Sequence, residues 1–473
     1  MPNTLRPHFS KLSAQTDSIR DECVETGQRG AVDEPQAASR QDLAGLTRRR
    51  FLRVATLAAG GTTFGGVLAR PSHSARAETS SPNTAVIQIF CGGGPSQIDM
   101  YDLKGDAPAE IRGEFSAIST NVAGVRISEH LPLQAQVADK LAVVRTVTHT
   151  NSSHLPSSHL VLTGYEPALP PKDNLNPFVG AVAAKLHGAN QPGLPAYVAV
   201  PKRVSYGTAA YLGAAYNPFT TQKYPNAKDF YVPNLRLAGG VTSDRLSRRG
   251  ALLSKLDRMR RDIDLHGDLE GVDDFTREAM ELITSDKAAR AFDVSREAPK
   301  LRDQYGWDAI GQNCLVARRL VEAGVTYVTC LSGGGWDTHK NNFSRLKSEA
   351  LPRYDRAIAA LVSDIYQRGL AERVMVVAFG EFGRTPRVNR DAGRDHWPGA
   401  SCVLFSGGGL KVGQMVGSTD KQGAYPASNP YSPGCVLATI YRHLGIDYHH
   451  VFHDQSNRPM PVLYSGHPID ELL

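Results

Sequence analysis

Ala85-Val86-Ile87-Gln88-Ile89-Phe90, followed at once by Cys91-Gly92-Gly93-Gly94-Pro95-Ser96, is the stretch that decides the fold. A run so short and so apolar reads as a strand covered on both faces, as in a parallel sheet. The glycines after it permit close approach of the backbone to other groups. The same arrangement recurs twice. Val325–Leu331 (VTYVTCL) runs into Ser332–His339 (SGGGWDTH), and Val374–Phe379 (VMVVAF) runs into Gly380–Gly383 (GEFG). An amphipathic helix precedes each of these two strands. One is Ala309–Ala323, stopped by Gly324; the other is Leu351–Gly369, with Ile358, Leu361, Val362 and Ile365 on one face. Strands alternating with helices predict an α/β fold of three layers, α/β/α, around a mostly parallel central sheet.

Outward from this frame, Leu141–Val147 (LAVVRTV) and Ala400–Phe405 (ASCVLF) read as two further strands, and Val436–Leu444 lies in a last helix. The first of these strands enters a polar loop rich in His and Ser, with a helix starting near residue 157. Residues 166–240, rich in Pro, Gly, Asn and Tyr, read as irregular covering structure with short helices. Residues 243–300 are charged, Leu-spaced and nearly free of Gly and Pro, and read as a helical insertion. Residues 78–473 are expected to form a single α/β domain.

Ligands of open parallel sheets bind beyond the carboxyl ends of the strands, and here those ends carry the polar groups. Asp99 and Asp102 follow the first strand, and His149, His154 and His159 follow the second. Asp337 and His339 follow the third, and Glu381 follows the fourth. Asp395 and His396 lie in the loop before the next strand. Taken singly, each is an ordinary turn, cap or surface residue. Their recurrence at successive strand ends points to a divalent metal such as zinc, manganese, magnesium or calcium. Asp99, Asp337, His339, Glu381 and His396 are the expected ligands. Arg384 is expected to pair with an anionic group or to form a salt bridge.

Gly92–Asp99 (GGGPSQID), Leu162–Gly164 (LTG), Gly335–His339 (GWDTH), Phe379–Pro386 (FGEFGRTP) and Arg394–Pro398 (RDHWP) resemble, in combination, the DUF1501 family of exported bacterial proteins. In layout that family is distantly similar to the alkaline phosphatase and sulfatase superfamily. This second resemblance implies an alkaline phosphatase-like domain, with Asp99, Asp337, His339 and His396 as metal ligands. It also places His154 at the nucleophile position, ten residues before Gly164. The chain departs from the pattern twice. His154 stands where a hydroxyl or thiol is expected, with Ser152, Ser153 and Ser157 beside it. Phe382 stands where an Asp-His pair would supply a nitrogen ligand, so one of two metal sites is expected to be weakened or lost. The leading expectation is a metal-dependent hydrolase of small anionic esters, of phosphate or sulfate. The competing expectation is a non-catalytic binding or assembly protein on the same fold. A redox protein with a large cofactor finds neither a Cys cluster nor a Gly-x-Gly-x-x-Gly turn.

The amino-terminal part reads differently. Residues 1–46 are polar and lack hydrophobic periodicity, as expected of a disordered extension. Residues 47–77 resemble a twin-arginine export signal: Arg48-Arg49 precede the short apolar run Val54–Leu68, and Ala75-Arg76-Ala77 follows as a cleavage site. The twin-arginine translocase is then a transient partner, the mature chain is periplasmic or extracellular, and no segment is long and apolar enough for a stable membrane anchor. The 473-residue chain carries a net charge of +6, with arginines of the signal contributing to the excess, so nucleic acid is not an implied partner. Its six cysteines are scattered, without a Cys-x-x-Cys, and do not read as a disulfide framework or a thiolate zinc site. Replacing Arg48 and Arg49 by Lys should leave the protein in the cytoplasm with its signal uncleaved, as fractionation and N-terminal sequencing would reveal; normal export of that variant rules the route out.

Overall fold

A computed structural model describes residues 83–167, 173–232, 235, 281–282 and 286–473. The extension, the twin-arginine segment and most of the 243–300 insertion lie outside the described residues. Strand β1, Ala85–Phe90, is buried along its whole length. It is the centre of an eight-stranded sheet. The other strands are β2 (Ala142–Val147), β3 (Tyr197–Val200), β4 (Phe219–Thr220), β5 (Tyr327–Leu331), β6 (Val374–Phe379), β7 (Ser401–Gly407) and β8 (Gln414–Val416). Their order across the sheet is β8-β2-β7-β6-β1-β5-β3-β4. All run parallel except β7, which is antiparallel to both of its neighbours. The fold is therefore three-layered α/β/α with a mostly parallel sheet.

Alternation along β1 divides the core in two. Ile87 and Ile89 face helices α3 (Ala309–Ala323) and α4 (Leu351–Gln367), packing with residues such as Leu315, Leu320, Ile358 and Leu361. Val86 and Phe90 face α1 (His154–Thr163), α2 (Val179–Leu186) and α5 (Pro433–His443), with Leu162, Val182 and Leu437 among the contacts. Both faces of the sheet are thus covered, which is why β1 carries no polar alternation. Helix α3 starts at Asp308, whose carboxylate accepts from the Gly311 amide at 3.0 Å, and stops at Gly324 with φ of 120°. The free cysteines Cys91, Cys314, Cys330 and Cys435 are buried, as expected for thiols packed in an apolar interior.

Two details depart from the sequence reading. The region 166–240 contributes β3 and β4 to the main sheet. Only four residues of β3 are extended, between Ala196 and Pro201, too few for a periodic signal. The helix expected near residue 157 begins at His154, so that histidine sits on a helix terminus and not within a loop. Among the described residues no helix is long and apolar enough to cross a membrane.

Register fixes where the loops emerge. Phe90 pairs with Leu331 on one side and with Phe379 on the other, so β1, β5 and β6 end flush. Ser401, the first residue of antiparallel β7, pairs with Val147, the last of β2. The segments carrying Asp99, His154, Asp337, Glu381 and His396 therefore all leave the sheet from one edge.

Candidate metal centre

His396 reaches the site through a two-residue ribbon in which His396 pairs with Arg384 and Trp397 with Gly383. Its Nδ1 lies 2.8 Å from the Ser152 carbonyl oxygen. A carbonyl only accepts, so Nδ1 carries the hydrogen and Nε2 of the neutral ring is bare. Burial lowers the His396 pKa, which keeps the ring neutral near pH 7. His339, in the loop after β5, has Nδ1 2.6 Å from the Asp395 carboxylate. That pairing likewise places the hydrogen on Nδ1 and leaves Nε2 bare in the neutral ring. The two Nε2 atoms face each other at 2.9 Å. Two lone pairs at that separation repel unless a proton or a cation lies between them.

Asp337 closes the triangle. Its Oδ1 stands 3.2 Å from His339 Nε2 and 3.2 Å from His396 Nε2. Ligands roughly 2.0–2.2 Å from one ion stand about 2.9 Å apart at a right angle and about 3.4 Å apart at the tetrahedral angle. The three atoms therefore already have the mutual spacing that a shared divalent cation requires. Burial works most strongly against ionisation of Asp337, but the bond and charge of Arg384, with His396 and His154, together outweigh it and hold the pKa at about 2. The carboxylate is anionic at any physiological pH, and its side chain remains 47% exposed.

His154 faces the same point from the first turn of α1. Its Nε2 is 3.5 Å from Asp337 Oδ2, and the ligand atoms of His154, Asp337 and His396 all lie within 4.8 Å of one another. Its Nδ1 is 2.5 Å from Glu381. The hydrogen bond to that carboxylate raises the His154 pKa, against the effect of burial. Glu381 is itself buried, and its two oxygens accept from the Gly93 amide at 2.8 and 3.1 Å. Glu381 was expected among the metal ligands; in the structure its carboxylate is bound to His154 and the Gly93 amide. Phe382 is buried against the rings of His154 and His396, with centroids 5.1 and 4.5 Å away. It fills the wall where a further nitrogen ligand was expected. Gly94 accommodates it: a Cβ there would lie 2.6 Å from two atoms of the ring.

Asp99 and Arg384 are both engaged by partners within the protein. Asp99 is fully enclosed and makes a two-pronged ion pair with Arg394, Nε to Oδ2 at 2.9 Å and Nη2 to Oδ1 at 3.0 Å. Ser96 and Asn342 donate to the same carboxylate at 2.6 and 2.9 Å. With its acceptor sites saturated, Asp99 stands apart from the cluster and serves as a structural anchor. Arg384 is also buried, and of its two expected roles the structure shows the salt bridge, made with Asp337. Nε and Nη1 bond the carbonyls of Gly94 and Arg394 at 3.0 Å each, while Nη2 bonds the Gly93 carbonyl and, at 2.5 Å, Asp337. Its function is to position Asp337. His149 and His159 are occupied as well, by the carbonyls of Glu381 and Tyr165 at 2.8 Å each. Arg394 carried no role in the sequence reading; its position directly before Asp395-His396 was the only hint. Its partner Asp99 lies 295 residues away in the chain, a contact that no local spacing reveals.

A three-layer α/β protein with an Asp/His cluster at the carboxyl edge of its sheet is the class that this geometry defines. The chain belongs to the family described as "Protein of unknown function (DUF1501)", whose model matches residues 83–473. No curated protein matches it. Among solved structures it is similar to Ps i-CgsB in complex with k-i-k-neocarrahexaose, at 12% identity over 77% of this chain and 72% of that one, with a TM-score of 0.36. It is similar to the PsFucS1 sulfatase from Pseudoalteromonas sp. at 11% identity over 77% and 68%, TM-score 0.34. For the TAB5 alkaline phosphatase mutant with Mg bound in the M3 site, the values are 11% identity, 71% and 95% coverage, and a TM-score of 0.33. Likenesses at this level decide nothing about the site, which stands on its own geometry.

The Asp99–Arg394 pair makes a prediction that separates structure from metal binding. Arg394→Leu leaves a buried carboxylate uncompensated and should cost about 3–5 kcal/mol in urea denaturation. Asp99→Asn should destabilise less and leave the metal content of refolded protein unchanged; a metal-free but stable Asp99→Asn protein would restore Asp99 to the ligand set.

Proposed function

We propose that the protein is an exported, metal-dependent hydrolase of anionic esters, of phosphate or sulfate, acting in the periplasm or outside the cell. The observation that carries this reading is the pair of imidazole nitrogens of His339 and His396, both left bare by their Nδ1 partners and facing each other at 2.9 Å beside Asp337. Asp337, His339 and His396 would hold the cation. A donor set of two nitrogens and one carboxylate suits zinc or manganese better than calcium, which takes oxygen ligands. Such a cation polarises an ester oxygen and lowers the pKa of water to near neutrality.

The chain's own residues supply the rest. Arg384 holds the Asp337 carboxylate and keeps it ionised. Asp395 and the Ser152 carbonyl fix the tautomers and ring planes of His339 and His396. Glu381 does the same for His154 and strengthens it as a base. His154 then accepts the proton of an attacking water through Nε2 as the bond from phosphorus or sulfur to the leaving oxygen breaks. It returns that proton to the leaving oxygen, so one water is consumed and one acid and one alcohol are formed. Phe382 and the enclosure of Asp99 remove two of the groups that a second cation would need, so a single ion is expected.

The second reading, a binding or assembly protein without catalysis, is favoured by the same two changes. His396→Ala and His154→Ala separate the readings. With zinc- or manganese-reconstituted protein, His396→Ala should lose most of its metal by elemental analysis and with it hydrolysis of p-nitrophenyl phosphate and p-nitrocatechol sulfate. His154→Ala should keep its metal and lose on the order of 10²–10⁴ in rate, as expected for removal of a general base. Wild-type protein that takes up none of zinc, manganese, magnesium or calcium removes the hydrolase reading and leaves the binding protein.

A further inference from the structure

Beside the metal centre a cleft of about 940 Å³ opens along the same edge of the sheet. On the near side its lining includes Gly92, next to the glycine that holds Glu381, and Leu155, next to His154. On the far side are Lys202 and Arg203. These follow β3 directly, at its carboxyl end, so the topology brings them to the edge from which the metal-centre loops also emerge. Asp173 is the only carboxylate among the described lining residues, against two cations.

The basic pair is presented by a firmly held loop. Pro201, Val204 and Tyr206 are buried, while Lys202, Arg203 and Ser205 between them are exposed. The Pro201 carbonyl accepts from the Gln222 amide at 2.7 Å, and the Val204 carbonyl from the Gly207 amide at 3.0 Å. A buried-exposed alternation with anchored backbone fixes where the two cations begin, leaving only their side chains to adapt. Strand β3 is two places from β1 in the sheet. At about 4.8 Å per strand, the pair stands on the order of 10 Å from the loop of β1 that supports the centre. Lys202 and Arg203 are thus placed for a group bound on the β3 side of the cleft.

We propose that this cleft is a subsite for a second anionic group of the substrate, held by Lys202 and Arg203 on the β3 side of the ester at the metal centre. The substrate class is thereby narrowed from simple monoesters to extended molecules bearing at least two phosphate or sulfate groups. This rests on the hydrolase reading, because the metal centre fixes where the reacting ester sits. Arg203 and Lys202 are specificity-determining residues in this scheme and touch neither the cation nor the scissile bond.

The test uses mature protein reconstituted with zinc and two fluorescein-labelled probes, a monosulfated and a disulfated trisaccharide of the same backbone, read by fluorescence anisotropy. Wild type should bind the disulfated probe at least tenfold more tightly, with the preference shrinking as salt is raised. Lys202→Ala/Arg203→Ala should bind both probes alike, with unchanged zinc content and unchanged hydrolysis of p-nitrophenyl phosphate; Lys202→Arg/Arg203→Lys should restore the preference. Equal binding of the probes by wild type overturns the subsite, as does a preference that survives in the double alanine variant. Failure of the hydrolase reading shows itself separately, as wild-type protein that retains no zinc.

Discussion

The buried guanidinium of Arg384 is the constraint on which the rest of the site depends. It bonds the carbonyls of Gly93 and Gly94 after β1, that of Arg394 in the loop before β7, and the carboxylate of Asp337 after β5. Arg384 itself follows β6. Loops associated with four strands are therefore tied at a single side chain whose planar fork has little conformational freedom to lose. The Gln97 amide reinforces the tie, donating to the Arg384 carbonyl at 2.9 Å while its oxygen accepts from the Arg384 amide at 2.8 Å. A lysine would supply the charge but not the several fixed directions, and Asp337 would lose its orientation toward the two imidazoles.

A second buried arginine accounts for the place of Asp99. Arg394 neutralises Asp99 with two nearly parallel bonds and also reaches the carbonyls of Ile111 and Thr385 at 2.9 and 3.1 Å. A guanidinium thus supplies the positive charge that a carboxylate at this position would otherwise draw from a cation. Phe382 adds an apolar wall beside His154 and His396. Buried carboxylates are costly unless paired, and Arg394 supplies that pairing for Asp99. The cluster of His154, Asp337, His339 and His396, by contrast, meets a single buried guanidinium, that of Arg384, among the described residues.

How much of this was legible in the sequence depends on range. The strand-to-loop junctions at Phe90, Leu331 and Phe379 could be read directly, since each buried apolar run ends in glycines and polar residues. From them followed the layered fold and the convergence of Asp337, His339, Glu381 and His396 on one edge. What could not be read were pairings between distant segments. Nothing local announces that Asp99 will meet Arg394, or that Arg384 faces inward with its donors shared between three carbonyls and the Asp337 carboxylate. Both residues looked available because side-chain accessibility is decided by how loops pack, not by strand periodicity. The short β3 was invisible for another reason: four residues give too little pattern for a strand to be separated from its irregular surroundings.

A network retained for stability alone would satisfy its polar groups and pair opposite charges. The Asp99–Arg394 anchor does so, with every acceptor matched to a donor. The neighbouring cluster is built on the contrary plan. Ser152 and Asp395 occupy the Nδ1 atoms of two histidines, and Glu381 occupies that of a third, so that each ring turns its Nε2 toward the same partly exposed carboxylate. Those three outer contacts spend hydrogen bonds to converge three ring nitrogens on one carboxylate, an arrangement that needs a proton or a cation among them. Metal-binding imidazoles have this construction because the second nitrogen must be fixed before the first can serve as a ligand. The difference between the two clusters, a few residues apart in the same loops, separates what holds the edge of the sheet together from what that edge is poised to bind.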